Sequence, residues 1–270
     1  MTKPQMFETE MAMCACFIDL VKAQNPEWTV YPETAGFDIL LVRDDGFQIG
    51  IEAKLRLNLK VIAQSIPSSS AFLWRDQGPD CLAVMVPSDI SACDGAKICS
   101  YLGVDVIRVD RPFLTDEDRK AGMRAEYIGK PRFYPDLPKQ GWTYGWHDRW
   151  VSERATLPDY VPDVPAGDKS PVQLTNWKIK AIKLLIILEK RGFVTSADFR
   201  HLEISPSRWT QGYADMVWLR KGEFRGQWVA GPSLPDYKSV LPTNYAEIEA
   251  DYETWAPQEP GRTDLFEGVS

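Results

Sequence analysis

The sequence lacks the features that mark membrane and secreted proteins. No run approaches the roughly eighteen apolar residues that a membrane-spanning helix needs. The opening MTKPQMFETE also lacks the charged and then apolar layout of a signal peptide. The five cysteines include no Cys-X-X-Cys pair, which indicates free thiols in a reducing compartment. We therefore expect a cytoplasmic protein with no membrane partner.

Histidine is also scarce. The chain has two, His147 and His201, which argues against a histidine-based nuclease or a zinc site. His147 stands between Trp146 and Asp148, but nothing completes a nucleophilic or metal-ligand set around it, so we interpret it as structural. Apolar residues, in contrast, make up 44% of the 270 residues, enough for one large domain or two ordinary ones.

Positive charge is concentrated in one segment of an acidic chain. The net charge is −7, which alone would argue against a nucleic-acid partner. Its distribution is −6 for residues 1–110, 0 for 111–170, +5 for 171–232 and −6 for 233–270. This asymmetry predicts that residues 171–232 contact an acidic partner.

Two aliphatic runs in the first third of the chain predict a β-hairpin. They are Phe37–Val42 and Phe47–Ile51, and the turn between them contains Asp45-Gly46, a strong hairpin signal. Strand, turn and strand would bring the two runs together as an antiparallel pair.

Charged residues interrupt this hairpin where a burial pattern would not require them. Asp38 lies early in the first run, Glu52 ends the second, and Lys54 follows two positions later. Because side chains alternate along a strand, Glu52 and Lys54 point the same way. Two carboxylates and the Ala53 carbonyl suit a hard cation such as Mg²⁺, and a lysine beside them can orient water or stabilise negative charge.

The residues Phe37-Asp38, a spacer of thirteen and Glu52-Ala53-Lys54 resemble the motif of the PD-(D/E)XK nuclease superfamily. Phe37 stands where the family name has Pro. The resemblance implies an Mg²⁺- or Mn²⁺-dependent nuclease in which Asp38 and Glu52 hold the metal, Ala53 contributes its carbonyl and Lys54 orients water. The alternative is a surface hairpin with a solvated Glu–Lys pair.

Three further residues enter as candidates through the same resemblance. Some members, including archaeal Holliday-junction resolvases, carry a metal-binding Glu on their first helix. Glu8 or Glu10 would be its counterpart here, and we prefer Glu10. Both also suit the first turn of a helix as charges near its positive end. Gln64 matches a Gln that contacts substrate or metal-bound water in some branches, and its alternative is an exposed helical Gln.

The order of predicted elements over residues 1–110 supports that resemblance. The pattern predicts α-β-β-β-α-β-α-β, an α/β fold with a mixed central sheet flanked by helices, that is, a restriction-endonuclease-like core. Outside the hairpin, the predicted elements are a helix over 6–23, strand Trp28–Tyr31, helix Leu57–Ile66 capped by Asn58, strand Cys81–Val86, helix Asp94–Leu102 and strand Val104–Val109.

Residues 111–170 have no clear period and predict a linker or insertion. Proline and aromatic residues alternate there with charges. Its cations could line a nucleic-acid backbone, although we favour ordinary packing over the core. Those cations are Arg124, Lys130, Arg132 and Arg149.

Residues 171–232 resemble a winged helix-turn-helix. The predicted elements are helix Leu174–Lys190 between a Thr175 cap and Gly192, a short helix capped by Thr195 or Ser196, helix Pro206–Met216, and strands Val217–Arg220 and Gln227–Val229. The third helix would present Ser207, Arg208, Thr210 and Gln211 to DNA, and the wing would present Arg220, Lys221 and Arg225. The alternative is a small helical docking domain.

Residues 233–270 form an acidic tail without a periodic pattern, predicted to be poorly ordered or draped on the body. Leu265-Phe266 resembles the end of a sliding-clamp-binding motif, with a chance match as the alternative.

These observations predict a metal-dependent deoxyribonuclease with a C-terminal DNA-binding module. Homodimers are frequent in the family it resembles. The rival hypotheses are a DNA-binding or partner-binding protein on a nuclease fold that does not cleave, and a protein-docking module without DNA.

Overall fold

The structure is a computed structural model, and it describes residues 6–66, 77–89, 93–110, 132–169, 172–211 and 216–257. The chain divides into two compact units, residues 1–173 and 174–270. In the part of the chain that is described, no helix is long and apolar enough to cross a membrane.

The first unit has an α/β fold around a six-stranded mixed sheet, which confirms the predicted class. Its elements are α1 (Glu10–Gln24), β1 (Trp28–Thr34), β2 (Phe37–Arg43), β3 (Gln48–Ala53), α2 (Leu59–Ser65), β4 (Cys81–Pro87), α3 (Cys93–Tyr101), β5 (Val104–Val109) and β6 (Phe133–Tyr134). The strands follow one another in sequence order across the sheet. Pairing is antiparallel from β1 to β3, parallel from β3 to β5 and antiparallel between β5 and β6.

The β2–β3 hairpin forms at the predicted turn. Gly46 has a φ of 83°, in the left-handed region that favours glycine, and its N–H donates to the Arg43 carbonyl. The Asp45 carboxylate accepts from the Phe47 N–H and from the Arg43 guanidinium. Local turn chemistry therefore fixes the register of both strands that carry the candidate site.

Two element boundaries near the site differ from the predicted ones. α1 begins at Glu10 because the Thr9 side chain caps it by accepting from the Ala12 N–H, so Glu8 precedes the helix. β1 continues through Pro32 to Thr34. A proline is tolerated there because β1 lies at the edge of the sheet.

The sheet is covered on both faces. Residues of α1, including Met13 and Phe17, pack in one core cluster with Ile51 of β3. Val61 of α2 packs in a second cluster with Val84 of β4. Burial on both faces leaves the strand ends as the places where polar side chains of the sheet can meet solvent.

Residues 132–169 pack over the first unit. β6 extends its sheet, Trp146 is buried, and His147 Nδ1 lies 2.8 Å from Asp105 Oδ1. The sequence did not predict this Asp105 partner for His147. Residues 111–131, with Arg124 and Lys130, lie outside the described part.

The second unit is mainly helical with a small sheet. Its elements are α4 (Asn176–Arg191), β7 (Val194–Thr195), α5 (Ser196–His201), α6 (Ser207–Thr210), β8 (Leu219–Lys221), β9 (Gln227–Ala230), α7 (Tyr237–Val240), α8 (Pro242–Ala250) and α9 (Tyr252–Trp255). The sheet order is β7-β9-β8. Thr175 caps α4 and Gly192 ends it in the left-handed conformation, as the sequence predicts.

The predicted helix Pro206–Met216 is wrong in extent. α6 has four residues, and Gln211 after it is extended. Trp209 is fully buried, and its ring packs against Phe199 and Trp218. The helix therefore ends one residue after a side chain that is fixed in the core of this unit. Residues 212–215 lie outside the described part.

The acidic tail is also more structured than predicted. Residues 237–255 form three short helices, and Tyr245 and Ile248 of α8 are buried. Two ion pairs join these helices to α4: Glu249 lies 3.8 Å from Lys190, and Lys238 lies 3.2 Å from Glu189. Leu265 and Phe266 lie outside the described residues.

Candidate functional site

The hairpin brings Asp38 to the Glu52–Ala53 end of β3. The pairing of β2 with β3 ends at Ile39 and Ile51, and Asp38 is the residue just before Ile39. Beyond that pair, the Asp38 side chain rather than its backbone bonds to the Ala53 N–H. The two carboxylates that the sequence assigns to one site therefore lie close together.

Lys54 lies among these carboxylates. Its Nζ donates to Glu10 Oε2 at 3.0 Å and to the Ala53 carbonyl at 2.8 Å, and it lies 3.7 Å from Asp38 Oδ2. Asp38 Oδ2 in turn accepts from the Ala53 N–H at 2.7 Å. Four of the predicted residues thus form one connected group, in which the Ala53 carbonyl accepts from Lys54.

Glu10 is the acidic residue of the first helix that reaches the site. It is the first residue of α1 and forms the ion pair with Lys54. Glu8 is exposed and precedes the helix. The preference for Glu10 over Glu8 therefore agrees with the geometry.

Glu52 is largely buried and has no hydrogen-bond donor among the described residues. The residue is 8% exposed, and its carboxylate oxygens are not among the fully buried atoms without a partner, so what exposure it has reaches them. Burial, followed by the charge of Asp38, raises the pKa of Glu52 to about 7, and Lys54 opposes this change. A buried carboxylate without a donor is unfavourable in its charged form, so this position gains most from a bound cation.

Lys54 remains a cation in this setting. Burial acts to lower its pKa, but the Glu10 hydrogen bond and the charges of Asp38, Glu10 and Glu52 outweigh burial and raise the pKa of Lys54. A lysine held protonated can stabilise negative charge or orient water, and it does not act as a base.

Glu33 joins this group and was not predicted. It lies at the end of β1, is 5% exposed, and its Oε1 accepts from the Gly167 N–H at 2.7 Å. Burial is the main cause that raises the pKa of Glu33 to about 7, and the charge of Asp38 adds to it. Its sequence signal is a carboxylate just after Pro32, where the pattern predicts that the strand has already ended.

Gln64 is exposed on α2, and its side chain forms no hydrogen bond with the described residues. Its role at the site stays a prediction.

The predicted nucleic-acid residues of the second unit are exposed, except Thr210, which is half-buried. Arg208 carries its guanidinium over the rings of Trp177 and Trp218, 4.6 and 5.2 Å from their centroids. Thr210, half-buried, donates its hydroxyl to the Pro206 carbonyl. The exposed remainder are Gln211, Arg220, Lys221 and Arg225.

The donor set of the first unit fits a hard cation. Within the described ranges, no group of three or more His, Cys, Asp or Glu side chains converges closely enough to hold a metal ion by itself. Mg²⁺, however, keeps several waters and is commonly bound by one or two carboxylates. Asp38 and the donor-free Glu52 meet that requirement.

Comparisons of this chain with protein-family models, with curated proteins and with solved structures found no match.

Proposed function

We propose that the protein is a metal-dependent nuclease that hydrolyses phosphodiester bonds of DNA. The observation that carries the proposal is the largely buried Glu52, which has no donor among the described residues, close to Asp38 and to the protonated Lys54. The α-β-β-β-α-β-α-β order around that group agrees with the PD-(D/E)XK-like core expected from the motif.

Each residue has a distinct part in this function. Asp38 and Glu52 would hold Mg²⁺ or Mn²⁺, and Ala53 would contribute its carbonyl. A divalent cation supplies polarisation of the phosphoryl group and a more acidic bound water. Lys54 would orient the attacking water and stabilise charge on the phosphoryl oxygens, and Glu10 holds the Lys54 ammonium in place.

The second unit would bind the DNA. Its order of helix, helix, turn, short helix and hairpin supports a winged-helix-like module, although the short α6 offers little length for a recognition helix. Arg208 and the hairpin cations Arg220, Lys221 and Arg225 remain exposed. We therefore assign them to phosphate contacts rather than to base recognition.

The test is cleavage of plasmid, linear, single-stranded and branched DNA with Mg²⁺, Mn²⁺ or EDTA. Wild type should cleave with a metal and not with EDTA, and Glu52→Gln and Lys54→Met should lose cleavage. Lys60→Met removes an exposed lysine from α2 and should cleave like wild type. Absence of cleavage on every substrate and with both metals would contradict the proposal.

The second candidate is a DNA-binding protein on the same fold that does not cleave. It is favoured by the lack, in the described residues, of a group of three metal-binding side chains. A wild-type protein that shifts DNA in a gel, steeply dependent on salt, without cutting it with either metal would establish this candidate.

A further inference from the structure

Glu33 of β1 lies beside Asp38 of β2. Pro32 pairs with Ile39 and Thr34 pairs with Phe37, so Glu33 and Asp38 lie between these two pairs. The charge of Asp38 acts on both Glu33 and Glu52. Like charges held close together destabilise the fold that holds them.

The chain holds Glu33 in an unfavourable conformation. Its φ is 49°, in the left-handed region that costs a non-glycine residue roughly 1 kcal/mol or more. It is also among the few charged residues that are less than a tenth exposed. Strain and burial at one acidic residue beside a candidate site suggest a role in that site.

A glycine from a distant segment fixes the Glu33 carboxylate. The Gly167 N–H donates to Glu33 Oε1 at 2.7 Å, and Gly167 has a φ of 75°. A Cβ at Gly167 would lie 3.0 Å from Cys14 Sγ and 3.4 Å from the carbonyl carbon of Glu10. Gly167 therefore lies between Glu33 and the first turns of α1, and it brings Glu33 to the Glu10 side of the site.

The charges around this group do not balance. Glu10, Asp38 and Glu52 act on one lysine, Lys54, and Glu33 adds a fourth carboxylate beside Asp38. The backbone amide of Gly167 orients Glu33 but carries no net charge. Glu52, more than nine-tenths buried and without a donor in the described part of the chain, is the position where this imbalance is most costly.

We propose that Glu33 is an additional carboxylate of the divalent-cation site, oriented by Gly167, which strengthens cation binding through its charge. The inference rests on the cation site of the proposed function. Glu33 need not contact the cation, which agrees with the lack of a three-carboxylate group in the described residues. Residues that act on a metal from outside its ligand set typically change affinity by 10–100-fold.

The test is calorimetric titration of Mn²⁺ into wild type and Glu33→Gln without DNA. Glutamine keeps an oxygen that can accept from Gly167 but removes the charge. We expect the affinity for Mn²⁺ to fall about tenfold or more. Glu8→Gln, which removes an exposed carboxylate just before α1, should stay within about twofold of wild type. Equal affinities of Glu33→Gln and Glu8→Gln, or no Mn²⁺ binding by wild type, would overturn the inference.

A second measurement separates this role from a purely structural one. In EDTA at pH 8, Glu33→Gln should unfold at the same or a higher temperature than wild type, because it removes repulsion from Asp38. A clearly lower unfolding temperature would mean that Glu33 serves the fold, and would overturn the inference. Failure of the nuclease proposal looks different: wild type would bind Mn²⁺ with the Glu33 dependence described, yet cleave no DNA.

Discussion

Buried carboxylates at the two ends of the first unit's parallel strands have opposite surroundings. At the beginning of β4, Asp80 is 6% exposed, and its Oδ2 accepts from Arg154 Nε at 2.8 Å and from the Gln48 N–H at 2.7 Å. At the end of β3, Glu52 is similarly buried but has no donor among the described residues. At one end of the sheet the buried carboxylate has hydrogen-bond donors, and at the other end the carboxylate remains free to bind a ligand.

The difference indicates which end of the sheet serves the fold and which serves a ligand. A buried carboxylate with donors contributes to stability, and its loss leaves those donors unpaired. A buried carboxylate without donors costs stability, and such a cost is typical of binding sites. Variants of the two acids should therefore give opposite results.

The largest expected difference is in cleavage. Glu52→Gln should lower the rate by at least about 100-fold, because it removes a charged ligand of the cation. Asp80→Asn should change the rate by less than about threefold at a temperature where it is folded. Rates on plasmid DNA with Mn²⁺ measure both. Similar losses in the two variants would remove the distinction between the two ends.

Stability should show the reverse order. Asp80→Asn should lower the free energy of unfolding by about 1–3 kcal/mol, since Arg154 and the Gln48 amide lose a charged acceptor. Glu52→Gln should not lower it in EDTA. Urea unfolding followed by tryptophan fluorescence measures both. A destabilised Glu52→Gln would show that Glu52 has a partner in the fold.

The pH dependence should identify Glu52 directly. Its pKa is raised by burial from 4.5 to about 7, so between these values the folded state keeps a proton that the unfolded state has released. The stabilisation is full below pH 4.5 and is lost as the pH rises through 7. Without metal, wild type should therefore lose stability relative to Glu52→Gln as the pH rises from 4.5 to above 7. The expected loss of unfolding free energy is on the order of 1–3 kcal/mol.

The control for this titration is Lys60→Met, which removes no carboxylate and whose difference from wild type should stay constant over the same range. A constant difference for Glu52→Gln as well would contradict the raised pKa.

The smallest expected effect concerns the second unit. The residue tested there, Arg208, is an exposed cation, in contrast to the buried acids of the first unit. Arg208→Ala should weaken DNA binding by about 3–10-fold and lower the salt slope by about one, the loss of one phosphate contact. Lys60→Met, which removes a cation from α2 of the first unit, should change neither. Binding at several salt concentrations measures both. An unchanged slope for Arg208→Ala would exclude a phosphate contact there.

Local sequence signals were sufficient for most of the first unit. The Asp45-Gly46 turn, the Asn58 cap and the continuous apolar run of β4 each depend on neighbouring residues, and each appears as predicted. Asp38, Glu52 and Lys54 were predictable for the same reason, because one hairpin carries all three. Glu10 needed a family resemblance as well, since α1 is a separate element.

Long-range contacts account for what the sequence did not show. Glu33 meets Gly167, 134 positions away, and no local pattern connects them. Pro32 suggested the end of a strand that its edge position allows to continue. In the second unit, burial of Trp209 shortened a helix that its local sequence favoured.

The most direct test of the cation site is thermal unfolding of wild type and Glu52→Gln at pH 8, in EDTA and in excess Mn²⁺. If Glu52 holds the cation, Mn²⁺ should stabilise wild type, by about 2.7 kcal/mol at a hundred times its dissociation constant. Glu52→Gln should be at least as stable as wild type in EDTA and should gain little from Mn²⁺. An equal Mn²⁺ effect on both proteins, or none on wild type, would contradict a cation site at Glu52.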